Sequence, residues 1–206
     1  MKILLVSDLH FGAEAAQKDA ITAMLVSVGC DADLILILGD LAEGETTKVK
    51  KELEGWLSTM QAHDLLHKIQ VVVGNHDESW IQQLPDLETR DFATPTTSNQ
   101  RYVCIHGNDL AIWEHAQDYG WDERLGAAMK DRLLEWSRQG TWTPQLTEND
   151  YLIIGHCHVC FHHEKRRVLS PGTWKGDPTD DPNVGWYALI KTTQVGDKIK
   201  LRRWFS

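Results

Sequence analysis

The sequence predicts a single domain with an α/β fold, and three observations support this prediction. Short apolar runs rich in Val and Ile recur along the chain, and helix-like stretches separate the first three of them. Strand, helix, strand, helix and strand in succession is typical of the start of a parallel sheet. The third observation is the length of 206 residues, which fits one domain because domains usually contain about 100–200 residues. We therefore predict a single α/β domain over residues 1–206.

Seven apolar runs have the length and the Val and Ile content of buried strands. They are Ile3–Val6, Leu34–Leu38, Ile69–Val73, Tyr102–Ile105, Tyr151–Ile154, Trp186–Ile190 and Ile199–Leu201. Helix-like stretches at Ala13–Val28 and Thr46–Leu66 separate the first three runs. In the second stretch apolar residues recur every three or four positions, so one face of this helix should be buried. These residues are Val49, Leu53, Trp56, Leu57 and Met60.

The later part of the chain has a different pattern. No strand-like run lies between Asn108 and Glu148, whereas Glu123–Trp136 has the apolar spacing of a helix. We interpret residues 109–150 as a helical insertion between strands. After Gly155 the pattern becomes rich in strands, and a loop at Ser170–Asn183 precedes the last two runs.

Composition excludes some classes of function. The formal net charge of -9 opposes non-specific binding to nucleic acid, which depends on clustered Lys and Arg. The four cysteines are sparse and irregularly spaced, which favours reduced thiols over a disulfide framework. No apolar run approaches the ~20 residues of a membrane-spanning helix, and Ile3–Val6 is too short for a signal-peptide core. By elimination we predict a cytoplasmic protein, and the sequence leaves its oligomeric state open.

Five successive predicted strands are followed by groups that can bind a metal or transfer a proton. The carboxyl ends of strands in α/β sheets line the crevice where ligands bind, so these groups can converge. Gly39, Gly74, Gly107 and Gly155 would allow the tight turns between them. The groups are Asp8 and His10, then Asp40, then Asn75, His76 and Asp77, then His106 and Asn108, and finally His156 and His158.

These ordered motifs resemble those of the calcineurin-like metallophosphoesterase superfamily. The family's D-x-H, G-D, G-N-H-[DE], lone His and G-H-x-H motifs all have counterparts here, in the same order. They are Asp8-Leu-His10, Gly39-Asp40, Gly74-Asn-His-Asp77, His106 and Gly155-His-Cys-His158. The resemblance covers about residues 1–172, because Ser-Pro-Gly-Thr at 170–173 is similar to the turn that follows the last family motif. It implies two mixed β-sheets packed as a sandwich and flanked by helices, with the helical insertion beside the site.

The resemblance also implies the ligands of two metal ions. Asp8, His10, Asp40 and His158 would hold one ion, and Asp40, Asn75, His106 and His156 would hold the other. Asp40 would therefore bridge both ions. Mixed nitrogen and oxygen ligands suit Mn, Fe, Zn, Co or Ni better than Ca or Mg. The sequence does not choose among these transition metals, and manganese is our working assignment.

The chemistry implied by the resemblance is metal-assisted hydrolysis of a phosphomonoester or a phosphodiester. Two cations about 3.5–4 Å apart can deprotonate a bridging water and clamp the phosphate oxygens, so that the bridging hydroxide is the nucleophile. His76 corresponds to the family's non-ligand histidine, which assists departure of the leaving group, and Asp77 would act with it or support its loop. Asn75 and His76 would also contact the substrate. We expect a small or nucleotide-like phosphate ester.

Other functions are compatible with the same motifs. A protein Ser/Thr phosphatase is one alternative, although the chain lacks the D-R-G extension typical of that branch after Asp40. A lipid-precursor pyrophosphatase resembling the diacylglucosamine hydrolases is another, although those tend to have Arg where His76 stands. A nuclease is disfavoured by the acidic charge. A non-catalytic scaffold with this fold is the fourth alternative, but such proteins commonly lose metal ligands.

Several smaller patterns have both a functional and a structural interpretation. Asn75 follows a glycine and could be a left-handed turn residue and not a ligand. Cys157 and Cys160 form a C-x-x-C that could be a redox pair or part of a zinc site. Each of three further patterns has two interpretations. Its residues could contact substrate or metal, or they could be ordinary surface or core residues. The three patterns are His63 with His67, His162 and His163 with the charged run Glu164–Arg167, and the tryptophans Trp113, Trp121, Trp136 and Trp142.

Overall fold

Ten strands are present in the described part of the chain, which a computed structural model defines at residues 1–77, 81–84, 87–108 and 123–205. In chain order they are β1 Lys2–Val6, β2 Leu34–Leu38, β3 Ile69–Val72, β4 Glu88–Arg90, β5 Tyr102–Ile105, β6 Tyr151–Ile154, β7 Cys160–His163, β8 Val168–Pro171, β9 Trp186–Thr193 and β10 Gly196–Arg203.

The strands form two sheets, and both sheets are mixed. The first has the order β10-β9-β1-β2-β3-β4, in which β1 to β4 are parallel neighbours and the β9-β10 hairpin is antiparallel. The second has the order β5-β6-β8-β7, in which only β7 runs antiparallel to its neighbour. The prediction of two mixed sheets flanked by helices is therefore confirmed.

Three α-helices lie among the described residues: α1 Lys18–Gly29, α2 Thr47–Ala62 and α3 Glu123–Gln139. Short 3-10 turns occupy Leu66–Lys68 and Ile81–Gln83. The side chain of Thr46 caps α2 by accepting a hydrogen bond from the backbone of Val49 at 3.2 Å. All five apolar residues predicted on one face of α2 are buried, as expected.

Two helix boundaries were predicted wrongly. Residues 13–17 are not helical, because their backbone bonds to a distant loop: Gln17 N donates to the carbonyl of Trp174 at 3.0 Å. Helix α2 ends at Ala62 and not at Leu66, because Asp64 has a φ of 56°, which a right-handed helix cannot contain.

Three strands were missed, and β1, β9 and β10 are longer than predicted, β1 by Lys2 alone. Strand β4 has three residues with two exposed, and β7 reads Cys-Phe-His-His, so neither has an apolar run. Strand β8, at Val168–Pro171, is buried but contains a Ser and a Pro. Strands β9 and β10 continue to pair with each other beyond their predicted ends. The added residues are not apolar, so the apolar pattern did not indicate them.

One apolar core lies between the two sheets. The first sheet contributes Ile3, Leu5, Leu36, Leu38 and Val72 to it, and the second contributes Tyr102, Cys104, Tyr151, Ile153 and Leu169. Helices α1 and α2 cover the outer face of the first sheet. Helix α3 covers the outer face of the second, with Leu125, Met129 and Leu133 in the apolar contact. Residues 109–122 of the predicted insertion lie outside the described residues.

Two further expectations concern membranes and thiols. Among the described residues, no helix combines the length and the hydropathy needed to cross a membrane. All four cysteines are free thiols, as the irregular spacing predicted.

Candidate metal centre

The loops that follow β1, β2, β3, β5 and β6 meet at one edge of the molecule. Hydrogen bonds tie them together: Asp8 N donates to Gly39 O at 3.1 Å, and His10 N donates to Asp40 O at 2.8 Å. Across the two sheets, His156 N donates to Asp8 Oδ2 at 3.1 Å. The convergence expected from strand order is therefore present, although about 150 residues separate the first and last motif.

The first group of side chains contains Asp8, His10, Asp40 and His158. One ligand atom from each of them lies within 4.8 Å of the others. The Nε2 atoms of His10 and His158 are 3.3 Å apart, and His158 Nε2 lies 3.2 Å from Asp8 Oδ1. His10 Nε2 lies 3.6 Å from Asp40 Oδ2. The four atoms thus enclose one small space.

The second group contains Asp40, His106 and His156, again within 4.8 Å of one another. His106 Nε2 lies 3.3 Å from Asp40 Oδ1, 3.2 Å from His156 Nδ1 and 3.0 Å from Asn75 Oδ1. Asp40 therefore presents Oδ2 to the first group and Oδ1 to the second. Asn75 does not have a positive φ. The left-handed turn that could explain an Asn at this position is therefore not observed.

The potential ligand atoms of the two groups leave polar interactions unsatisfied that bound cations would satisfy. Asp8 Oδ1 is buried and accepts no hydrogen bond from the described residues, whereas Oδ2 accepts from Ser7 and from His156 N. A buried carboxylate oxygen without a donor is costly unless a cation or a water satisfies it. The ring nitrogens that face each other in both groups would repel if both were unprotonated. Divalent transition metals resolve both problems, since neutral imidazole and carboxylate are their common ligands.

Two histidines have an acceptor beside Nδ1, an arrangement that leaves Nε2 available to a metal when the ring is neutral. Nδ1 of His106 lies 2.8 Å from Leu38 O, and Nδ1 of His10 lies 2.5 Å from Glu43 Oε2. When Nδ1 carries the proton for these acceptors, Nε2 is left as a lone-pair donor pointing into the site.

The electrostatics of the site favour a charged Asp40. Burial acts to raise its pKa, but the hydrogen bond and charge of His106 lower the pKa to about 2. For His106 burial acts to lower the pKa, and the hydrogen bond and charge of Asp40 with the charge of Asp8 raise it to about 9. Burial lowers the pKa of His10 and His156, which favours their neutral forms. The carboxylates thus concentrate negative charge where a cation would bind.

The backbone at the site is unusual as well. Asp8, His10, Asp40, His156 and His158 all have positive φ angles, from 49° to 63°. Non-glycine residues rarely adopt this conformation, and such strain costs about 1–3 kcal/mol for each residue. Since such strained residues cluster at functional sites, the backbone provides an independent indication of function.

Three of the predicted turn glycines are required by close packing. A Cβ atom on Gly155 would overlap Leu38 O and Ser7 Oγ. A Cβ atom on Gly39 would overlap the ring of His106, and one on Gly74 would overlap the carboxylate of Asp40. Gly39 also has a φ of 81°, whereas Gly74 does not have a positive φ. Gly74 is therefore needed for space and not for a left-handed turn.

A further carboxylate, Glu43, joins the site and was not predicted from the sequence. Glu43 Oε2 contacts His10, and its Oε1 lies 3.2 Å from Nδ1 of His76. Lys175 Nζ donates to Glu43 Oε2 at 3.1 Å. Burial acts to raise the pKa of the Glu43 carboxyl, but the hydrogen bonds from Lys175 and His10 hold it below its usual range. In the sequence, the only indication that Glu43 joins the site was its position three residues after Asp40, in the loop that follows β2.

His10, Glu43 and His76 also bring potential ligand atoms within 4.8 Å of one another. We interpret this cluster as a support and not as a third metal site. Nε2 of His10 already faces the first group, so Glu43 contacts the opposite nitrogen, as carboxylates behind metal-binding histidines do.

The predicted non-ligand residues, His76 and Asp77, are neighbours in the turn after β3 and differ in their exposure. The His76 side chain is 40% exposed, and its ring centroid lies 5.0 Å from that of His10. Asp77 is buried, and its two oxygens accept from Gly74 N at 2.8 Å and from Ala42 N at 3.0 Å. Burial raises the pKa of Asp77 to about 6. Its contacts are those of a residue that holds the turn.

The remaining patterns contribute no potential ligand atom to the two groups among the described residues. His67 is exposed and lies 3.4 Å from Asp64, and His162 lies 2.5 Å from the hydroxyl of Tyr151. The Cys157 thiol is buried 3.3 Å from the Ser170 hydroxyl, and burial raises its pKa to about 11. A zinc site or a redox pair at the C-x-x-C has no support from these contacts. Trp113 and Trp121 lie outside the described residues.

Comparison with known proteins gives one family. A family model described as the calcineurin-like phosphoesterase superfamily domain matches residues 1–194. This match extends beyond residue 172, where the resemblance seen in the motifs ended. The comparison with curated proteins found no match.

Solved structures show the same fold. The chain is 22% identical to YfcE, a phosphoesterase from E. coli, with a TM-score of 0.58, and the match covers 93% of this chain and 89% of that one. A predicted phosphoesterase from Streptococcus pneumoniae TIGR4 is 15% identical, with a TM-score of 0.56 and coverage of 98% and 89%. A hypothetical protein from Thermus thermophilus is 12% identical, with a TM-score of 0.52 and coverage of 98% and 99%.

Proposed function

Because this chain belongs to the calcineurin-like phosphoesterase superfamily, we propose that it hydrolyses a phosphate ester with two divalent transition-metal ions. The observation that carries the proposal is the position of Asp40. Its two carboxylate oxygens face two separate groups of nitrogen atoms, at 3.6 Å from His10 and 3.3 Å from His106. A carboxylate shared in this way can bridge two cations.

The proposed ligands are the seven residues predicted from the motifs. Asp8, His10 and His158 would complete the first site with Asp40, and Asn75, His106 and His156 would complete the second. The chemistry that two bound ions supply is activation of a water molecule near neutral pH and neutralisation of the phosphate oxygens. Manganese is the working assignment among Mn, Fe, Zn, Co and Ni, since the donor set accommodates all five.

The chain's own proton donor is His76 in this proposal. Its Nδ1 is oriented by Glu43, so Nε2 is free to face a substrate oxygen, and its partial exposure leaves it accessible. His76 would protonate the leaving oxygen. Asn75 is exposed beside the second group, so its amide could contact the phosphate as well as an ion. Asp77 would act by holding this turn through its backbone contacts.

The substrate that we propose is a small or nucleotide-like monoester or diester. Part of the supporting evidence is the net charge of -9, which disfavours stable binding to long nucleic acids. The cytoplasmic location also stays a prediction, which the free thiols favour. A non-catalytic scaffold is disfavoured because a residue able to act stands at each expected position.

The test is the metal content and activity of the protein and of Asp40→Asn. We expect about two manganese ions per chain and hydrolysis of aryl phosphate or its diester by the unchanged protein. The variant should lose turnover and hold both ions more weakly, because it lacks the charge shared by both sites. Two tightly bound ions and full turnover in Asp40→Asn would refute the bridging role.

A further inference from the structure

A cavity of about 280 Å³ adjoins the proposed second metal site. Its lining includes Gly74, Asp91, Phe92, His106 and Trp142. His106 belongs to the metal centre, and Gly74 packs against the carboxylate of Asp40. The cavity and the metal centre thus share a wall.

Strand order explains why an aromatic residue lies beside the metal loops. Strand β4 runs parallel to β3, so its carboxyl end lies at the same sheet edge as the end of β3. Phe92 follows β4 at this edge. The next residue, Ala93, pairs with Cys104 of β5 through hydrogen bonds of 3.0 and 2.9 Å, two residues before His106. Phe92 is therefore held next to the site by the pairing of its neighbour Ala93 with β5.

The second aromatic wall comes from the segment after α3. Trp142 is partly exposed and packs against the apolar cluster between the second sheet and α3, as Phe92 does. Two partly exposed aromatic side chains in one cavity leave ring surface available to a ligand. Aromatic surfaces of this kind bind planar rings by stacking, and they do so with little dependence on ring identity.

The charge of the cavity selects against a second phosphate. Among the described residues that line it, none is Lys or Arg, and Asp91 is an exposed carboxylate at its rim. An anionic group placed there would be repelled. A neutral ring, or one that carries amino groups able to donate to Asp91, is favoured. The volume is near the lower end of ligand pockets, which accommodates one ring system and not a long chain.

We propose that this cavity, named the Phe92–Trp142 pocket, binds an uncharged planar ring of the substrate, as in an aryl or nucleoside ester. The inference rests on the proposed function, because it places the phosphate of the same molecule at the metal centre. It would make the two aromatic residues determinants of specificity. Their contribution would favour esters of ring-bearing alcohols over alkyl esters and over pyrophosphates.

The test compares stable phosphonates with the manganese-loaded protein. Benzylphosphonate and ethylphosphonate carry the same charged group and differ in the ring. The methylenephosphonate analogue of a nucleoside monophosphate distinguishes a nucleobase from a simple aryl ring. Dissociation constants come from calorimetry, and saturation-transfer NMR reports contact with the ring protons without requiring turnover.

We expect benzylphosphonate to bind about tenfold more tightly than ethylphosphonate. In Trp142→Ala the ratio should fall to about one, and Phe92→Leu should reduce it as well. Trp142→Phe should retain most of it, since a ring is kept. Trp136→Ala is the matched control, because Trp136 packs on the same cluster but does not line the cavity. Thermal unfolding of each variant establishes whether it is folded. If Trp142→Ala does not fold, Phe92→Leu takes its place in the comparison.

Equal affinities for the two phosphonates in the unchanged protein would overturn the inference. A ring preference that survives in both Trp142→Ala and Phe92→Leu would overturn it too. The proposed function can fail separately: absence of turnover on every ester, with a ring preference that depends on Trp142, would refute the phosphoesterase activity and support the pocket.

Discussion

Glu43 Oε2 lies 2.5 Å from Nδ1 of His10, on the opposite side of the ring from the first metal group. Carboxylates in this position fix ring orientation and raise the basicity of the ligand nitrogen, and their loss typically weakens metal binding about 10–100-fold. We expect Glu43→Gln to show a loss of this size for the manganese ion held by the first group, which contains His10.

Calorimetric titration with manganese measures this effect. Glu45→Gln is the control, because Glu45 pairs with Lys50 on the surface at 2.5 Å and not with a site residue. Equal manganese affinity in both variants and in the unchanged protein would contradict the supporting role of Glu43.

His76→Ala should separate metal binding from proton transfer. The residue is not a proposed ligand, so two ions should remain bound. We expect a loss of about 10²–10⁴-fold on alkyl or nucleoside esters, because a basic leaving oxygen needs a proton. On p-nitrophenyl esters the loss should be small. Steady-state rates on both ester types, with metal analysis, check this prediction.

The control for His76→Ala is His67→Ala. His67 is exposed, and the one ion pair that it forms with a described residue is with Asp64. An equal loss on both ester types in His76→Ala, with both ions bound, would show that His76 stabilises the phosphoryl group instead.

Cys157→Ser and Cys160→Ser should retain both metal ions and most of the activity. The Cys157 thiol lies in the core 3.3 Å from the Ser170 hydroxyl, and no group of potential metal ligands among the described residues includes it. His156→Ala is the comparison, and it should weaken the second site. Metal analysis that showed both ions lost from either serine variant would favour thiolate ligands.

Asp197, on β10, should stabilise the contact of this strand with residues 97–102 in a pH-dependent manner. Its carboxylate accepts from Thr97 Oγ1 at 2.5 Å, Asn99 Nδ2 at 3.0 Å and the Tyr102 hydroxyl at 2.7 Å. Burial acts to raise the pKa of Asp197, but these hydrogen bonds hold it below its ordinary value of 3.8. A lowered pKa means that the folded state binds fewer protons than the unfolded state, so the stabilisation is present above about pH 4 and is lost as the pH falls.

We therefore expect Asp197→Asn to lower the free energy of unfolding at pH 7 by about 1–2 kcal/mol. The difference from the unchanged protein should shrink below about pH 4. Urea unfolding at several pH values measures it, and Asp31→Asn, at an exposed ion pair with Lys2, is the control. A difference that stays constant down to about pH 2 would show that the hydrogen bonds do not depend on the charge.

The apolar pattern alone determined the central strands and one helix face. Strands β2, β5 and β6 have the predicted bounds, because buried strands of a parallel sheet are continuous apolar runs. The same pattern placed five motifs at strand ends, and residue type then indicated a metal centre. These are local properties, since each depends on a few neighbouring residues.

The tertiary structure alone decided which other residues join the site. Lys175 and Glu43 are 132 positions apart and meet only after the loop following β8 packs against the loop following β2. Strand β4 has no apolar run and forms by pairing with β3, which places Phe92 beside His106. Contacts between distant segments depend on sheet order and packing, and no short stretch of sequence contains that information.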